Sequence, residues 1–265
     1  MSAGRLREDT LDLFVGLSSL IFVVVGTAVG VRILLRARAN RSLPELAIGI
    51  ALVSFAGVTQ AFSIARVALE DRIGPGATIA LQLGATAGSS LALLGLYVFT
   101  WRVFRPEARW AVLLFAGGSA LGLWAGAAMA AVSFYAVGAP PVLTGGWIAL
   151  SALSYAICFG WGAVESLLYH GRLRLRLRLG LADPLLVNRF LLWGSACSIA
   201  FVIDVALMAL ALQHVDFNHA PLPKLLVSAS GLVNAAAWYL GFTPPAWYVR
   251  WARGGAAAPC SSQPA

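Results

Sequence analysis

Asp204 is the sharpest chemical feature of the chain, an ionisable side chain inside the apolar run Ser198-Ile-Ala-Phe-Val-Ile-Asp204-Val-Ala-Leu. A carboxyl in hydrocarbon is costly and marks a pathway or a site. At 1.5 Å per residue it lies about 12 Å below the outer end of its span, Gln60 about 13–14 Å below the end of the second, and Asn234 about 16 Å into the seventh. The expectation is one polar layer in the outer half, joining the second, sixth and seventh spans. Two chemistries fit it. One is a polar pocket open to the outside, with Asp204 as its charged or proton-exchanging group. The other is a carboxyl hydrogen-bonded between helices to fix their packing. Gln82, Thr86 and Arg66 lie nearer the outer mouth, where Arg66 either reaches toward the layer or pairs with Glu70. Trp193 and Trp238, with Trp124 and Trp161, fall within spans and either wall an apolar ligand cavity or fill the bundle.

Other constellations are less specific. Glu165, about one turn before His170, is placed to pair with an arginine or to relay a proton. In Arg172-Leu-Arg174-Leu-Arg176-Leu-Arg178-Leu, a strand would put all four arginines on one face. A helix would pair 172 with 176 and 174 with 178. Either way the cluster attracts anionic lipid head groups, at about 1 kcal/mol per charge near the surface, or docks an acidic cytoplasmic partner. His214-Val-Asp216-Phe-Asn-His219 offers metal-ligand types without a metal-site spacing. HExxH, GxSxG and Walker A runs are absent, as is a glycine-rich turn between strand and helix. No enzyme, catalytic residue, cofactor or bound metal is therefore expected.

The elements that must position these residues are membrane helices. Of 265 residues, 60% are hydrophobic and 11% charged, and the mean hydropathy is +0.82. Soluble domains carry about 25% charged residues, so a soluble or disordered chain is excluded. Seven apolar stretches reach the ~20 residues a span needs: Leu11–Leu35, Glu45–Leu69, Gly76–Val103, Trp110–Val137, Gly146–Tyr169, Pro184–Leu212 and Pro223–Phe242. Prolines 44, 75, 106, 140, 141, 184, 221 and 223 sit at helix starts, where a missing N–H costs nothing. Asp183-Pro184 reads as an N-cap followed by the first helical position. Gly26/Gly30, Gly84/Gly88 and Gly122/Gly126 are GxxxG spacings that let helices approach closely. The first span is longer than a signal-peptide core and lacks a cleavage site after it.

Seven spans over residues 1–253 give an all-α bundle, followed by an Ala/Ser/Pro-rich tail at 254–265 that is expected to be disordered. The net charge is +8. Fourteen of the nineteen basic residues fall on one side of this topology and five on the other. The fourteen mark the cytoplasmic side, so the amino terminus is expected outside and the carboxyl terminus inside. The basic charge thus orients the chain and faces anionic lipid rather than nucleic acid. The weight of Arg, Ala and Gly points to a GC-rich bacterial source and hence to the inner membrane. Cys158, Cys197 and Cys260 imply neither a disulfide framework nor a metal cluster.

Seven helices with the amino terminus outside are similar to microbial rhodopsins, but Lys224 stands at the start of the seventh span and Asn234 at its middle, which removes the retinal-bearing lysine. The topology also suits small sugar transporters of the PQ-loop type, yet no Pro-Gln dipeptide occurs. The exit Tyr239-Leu-Gly-Phe242-Thr-Pro244-Pro245-Ala-Trp247-Tyr-Val-Arg250 resembles the membrane exit of multi-span sensory regions in bacterial histidine kinases and related signalling proteins. This resemblance implies a receptor or sensor for a small or lipophilic ligand. With about a dozen residues after Arg253, output is expected to pass to a separate cytoplasmic partner through the Arg-rich loops. The alternatives are a small-solute or proton-coupled transporter using the same carboxyl, and a non-catalytic accessory subunit.

Overall fold

The computed structural model describes residues 3–69, 72–135, 141–213 and 221–254, all helices and short turns, with no strand among them. Among the described residues, seven helices are long and apolar enough to cross a membrane. They are α1 (Ala3–Asn40), α2 (Leu43–Leu69), α3 (Pro75–Phe104), α4 (Arg109–Tyr135), α5 (Pro141–Arg178), α6 (Pro184–Leu212) and α7 (Pro221–Phe242), followed by a short α8 (Ala246–Gly254). The chain is an integral membrane protein of the multi-pass helical kind.

The helix starts follow the proline logic. Pro75 and Pro184 occupy first helical positions, and the Asp183 side chain accepts from the Leu185 N–H at 3.1 Å. Some ends run past the apolar stretches. α1 continues to Asn40 and α5 to Arg178, because flanking arginines are good helix formers that reach the head-group region while their helix continues. The arginine run is therefore helical, and the strand alternative is set aside. Gly180, at φ +69°, ends α5 with paired reverse bonds, Leu181 N–H to Arg176 O and Gly180 N–H to Leu177 O. Gly254 belongs to α8 rather than to a tail; residues 255–265 lie outside the described residues.

Each spanning helix packs on the next in chain order, and α7 packs back on α1, closing a ring. The glycine pairs make the close approaches. A Cβ on Gly26 would collide with Ala56, and one on Gly30 would stand 2.8 Å from Val53 Cγ2, so α1 and α2 touch backbone to backbone. Gly84 and Gly88 meet Phe62 and Val58 in the same way.

The two halves of the ring are filled differently. Near the ends that carry the arginines, Tyr97, Trp161, Trp193 and Cys158 are buried, with Phe99, Trp101, Phe115 and Phe242 packed against them. Toward the amino-terminal end of α1 the ring encloses open space.

Candidate functional site

Two adjoining cavities occupy the half of the bundle nearer the amino terminus of α1. The larger, of about 600 Å³, is lined by residues of all seven spanning helices. The smaller, of about 190 Å³, lies between α1, α2, α5, α6 and α7. The ring closure of α7 on α1 is what encloses both.

Asp204 of α6 lines both cavities. Its Oδ2 atom is buried without a hydrogen-bond partner among the described residues. Gln60 of α2 and Asn234 of α7 line the smaller cavity with it, so the three polar groups share one space. Asn234 Nδ2 donates to the Ser230 carbonyl at 2.9 Å, which anchors its amide to its own helix. Trp238 lines the smaller cavity, while Gln82 lines the larger. Arg66 is half-buried and lines neither, and Glu70 lies outside the described residues.

Trp193 is not a cavity wall. It precedes Asp204 by eleven residues, about 16 Å along α6, and packs edge-on against Phe99 and Phe242 at 5.4 and 5.7 Å between centroids. Trp161 likewise packs with Tyr97 and Trp110, and Trp124 with Trp147.

The larger cavity has a hydroxyl wall that no single residue of the sequence signals. Gln82, Thr86, Ser89 and Ser90 of α3 line it at helical spacing, opposite Ser151 and Tyr155 of α5. Their signal is periodicity, since positions i, i+4, i+7 and i+8 fall on one helix face. Tyr155 Oη donates to the Ser89 carbonyl at 2.6 Å and accepts from Ser89 Oγ at 2.8 Å, tying α3 to α5 at the cavity wall.

A second unforeseen feature lies in α2, where Val53–Thr59 forms a π-helical turn. The wider turn accommodates an extra residue and rotates the remainder of α2 by about 100° relative to a regular helix. Thr59 Oγ1 donates to the Ser54 carbonyl at 3.0 Å, tying its side chain back across the turn. Phe55 and Thr59 of this turn line the larger cavity, and Gln60 just after it lines the smaller.

At the opposite end, side chains link α6 to the exit of α7. Arg189 Nε donates to the Gly241 carbonyl at 2.8 Å, and Arg36 Nη1 to the Phe242 carbonyl at 3.4 Å, covering carbonyls that the Pro244-Pro245 break leaves open. Tyr248 of α8 hydrogen-bonds the Asn188 side chain, and burial pushes its phenol above the ordinary value. Arg253 stands 3.8 Å from Asp183. Glu165, 7% exposed, accepts from Arg105 Nε at 2.8 Å, and this bond raises the guanidinium above its ordinary value. Arg172, Arg174, Arg176 and Arg178 are exposed on the last turns of α5.

His214, Asp216 and His219 lie outside the described residues, and among the described residues no three His, Cys, Asp or Glu side chains group as metal ligands. No protein-family model, no curated protein and no solved structure matches the chain.

Proposed function

We propose that the chain is a receptor or sensor of the bacterial inner membrane, binding a small or lipophilic ligand in the outer half of the bundle. Its amino terminus is outside and its carboxyl terminus cytoplasmic, following the fourteen basic residues at one end. The observation that carries the reading is the shared position of α6 and α7. Both line the cavities, through Asp204, Asn234 and Trp238, and both lead to the far end. There Trp193, Arg189 and Asp183 of α6 hold Phe242, Gly241 and the exit helix α8. A ligand that moved α6 against α7 would disturb those contacts about 22 Å away, fifteen residues along α6. A separate cytoplasmic signalling partner reads the displaced loops, and the exposed arginines of α5 meet anionic lipid head groups.

Filling the cavity by mutation tests the coupling without a ligand. A nitroxide on Trp251→Cys in α8, in a Cys260→Ser background, is read by electron paramagnetic resonance in lipid nanodiscs, with and without Ser90→Phe. A changed line shape in the filled variant is expected. Identical spectra, with the cavity shown to be filled, remove the coupling and the sensor function with it.

One observation favours a second reading, proton-coupled transport of a small solute. The unpaired Asp204 oxygen stands at the junction of the two cavities, where a transporter would place its coupling carboxyl. Proton flux into proteoliposomes that Asp204→Asn abolishes would replace sensing by transport.

A further inference from the structure

The chemistry around Asp204 narrows the ligand class, an inference that rests on the pocket proposed above. Five aromatic rings form an unbroken chain through the two cavities. Trp238 meets Phe22 at 5.2 Å, Phe22 meets Phe55 at 5.9 Å, and Phe55 and Phe159 each meet Tyr155 at 6.1 Å between centroids. Asp204 lines the same two spaces, and Phe55 and Phe159 border both.

A buried carboxyl oxygen without a partner is costly, so the site lacks a donor or a positive charge. Among the described residues, the walls do not supply the charge. Lys224 is the sole basic one of the described residues lining either cavity, and it pairs with Asp12 at 3.7 Å at the rim. Ring faces attract cations through their quadrupole, more strongly where water is excluded. The same surroundings repel an anion.

We infer that the pocket takes an organic ammonium ion, with Asp204 as its counter-ion, the Phe55–Tyr155–Phe159 rings around its charged head and the smaller cavity holding an apolar or aromatic tail. The combined space suits such a molecule, since ligand pockets run from about 300 to 1,000 Å³. The hydroxyls of α3 and α5 leave room for hydrogen-bonding substituents on the head.

Three probes of one size and three charges test this by calorimetric titration of the full chain in zwitterionic nanodiscs. They are phenethyltrimethylammonium, the neutral 2-methyl-4-phenylbutan-2-ol and the anionic 4-phenylbutyrate. The ammonium is expected to bind at least about tenfold more tightly than the alcohol, and the anion more weakly than both. Asp204→Asn should remove most of the ammonium preference, leaving only the share the rings supply, and leave the alcohol unchanged. Phe159→Leu keeps Asp204 and an apolar filling, and should lower the ammonium preference about three- to tenfold. Equal binding of ammonium and alcohol to the native chain overturns the ammonium assignment and leaves the pocket standing. A preference that survives both substitutions undiminished also overturns it. Binding of none of the three removes the pocket and the assignment together.

Discussion

The two halves of the bundle are built from the same helices and filled in opposite ways. At the arginine-bearing end, large rings interlock, Glu165 pairs with Arg105 and Tyr97 Oη donates to the Ser154 carbonyl at 2.9 Å, while the indole nitrogens of Trp101, Trp161 and Trp193 are buried without a partner among the described residues. At the other end the ring encloses open space, lined in part, among the described residues, by Ser, Thr, Gly and one carboxyl. Lipid tails are as apolar as leucine, so a membrane bundle is held by packing and hydrogen bonds rather than by hydrophobic burial. The filled half therefore carries most of the stability and the open half is free to bind. Matched substitutions in the two halves should expose the difference.

The largest contrast is expected between two tryptophans. Trp193→Ala removes a ring that is 6% exposed, and should destabilise the chain by about 3–5 kcal/mol in reversible unfolding from bicelles. Trp124→Ala in the open half removes a ring that is 59% exposed, with one edge-on neighbour, and should cost about 1 kcal/mol. Equal losses would show that the open half is packed as tightly as the other.

Two glycines of α4 give the next contrast. A Cβ on Gly118 would fall on the Tyr97 ring, which its own hydrogen bond holds in place, so Gly118→Ala should cost about 1–3 kcal/mol. A Cβ on Gly126 would stand 2.8 Å from Ser90 Oγ, a small group beside the cavity that has room to rotate. Gly126→Ala should stay within about 0.5 kcal/mol of the native chain, read by the same unfolding measurement.

One ion pair from each half gives the smallest contrast. Arg105→Ala strands the buried Glu165 and should cost about 1–2 kcal/mol. Lys224→Ala breaks a rim pair whose Asp12 side chain is 70% exposed, and should cost under about 0.5 kcal/mol, less again at high salt. Salt that erased the Arg105 effect as fully would place Glu165 in water.

The parts of this division legible in the sequence are those that depend on length and depth. Span number follows from apolar run length, and helix starts from proline. Counting 1.5 Å per residue puts Asp204, Gln60 and Asn234 in one layer, and the structure lines one cavity with all three. The same count also separates Trp193 from Asp204 by about three turns, so its place in the filled half was within reach of arithmetic. The π turn at Val53–Thr59 was not, because nothing in Val-Ser-Phe-Ala-Gly-Val-Thr forces an extra residue into the ladder. The aromatic chain from Trp238 to Phe159 depends on α7 closing against α1, a tertiary fact without a local signature. The hydroxyl wall lay between these cases, visible as periodicity on α3 and α5 but unremarkable residue by residue.

Reach from water to the open half is the point on which the rest depends. Ser151→Cys puts a thiol on the larger cavity, in a Cys260→Ser background where Cys158 and Cys197 are buried. The variant is exposed in intact cells to a membrane-impermeant, cationic methanethiosulfonate reagent. Labelling from outside, slowed by phenethyltrimethylammonium, is the expected result. A thiol that reacts only after the cytoplasmic face is opened would contradict the orientation, and one that reacts at neither face would contradict the pocket.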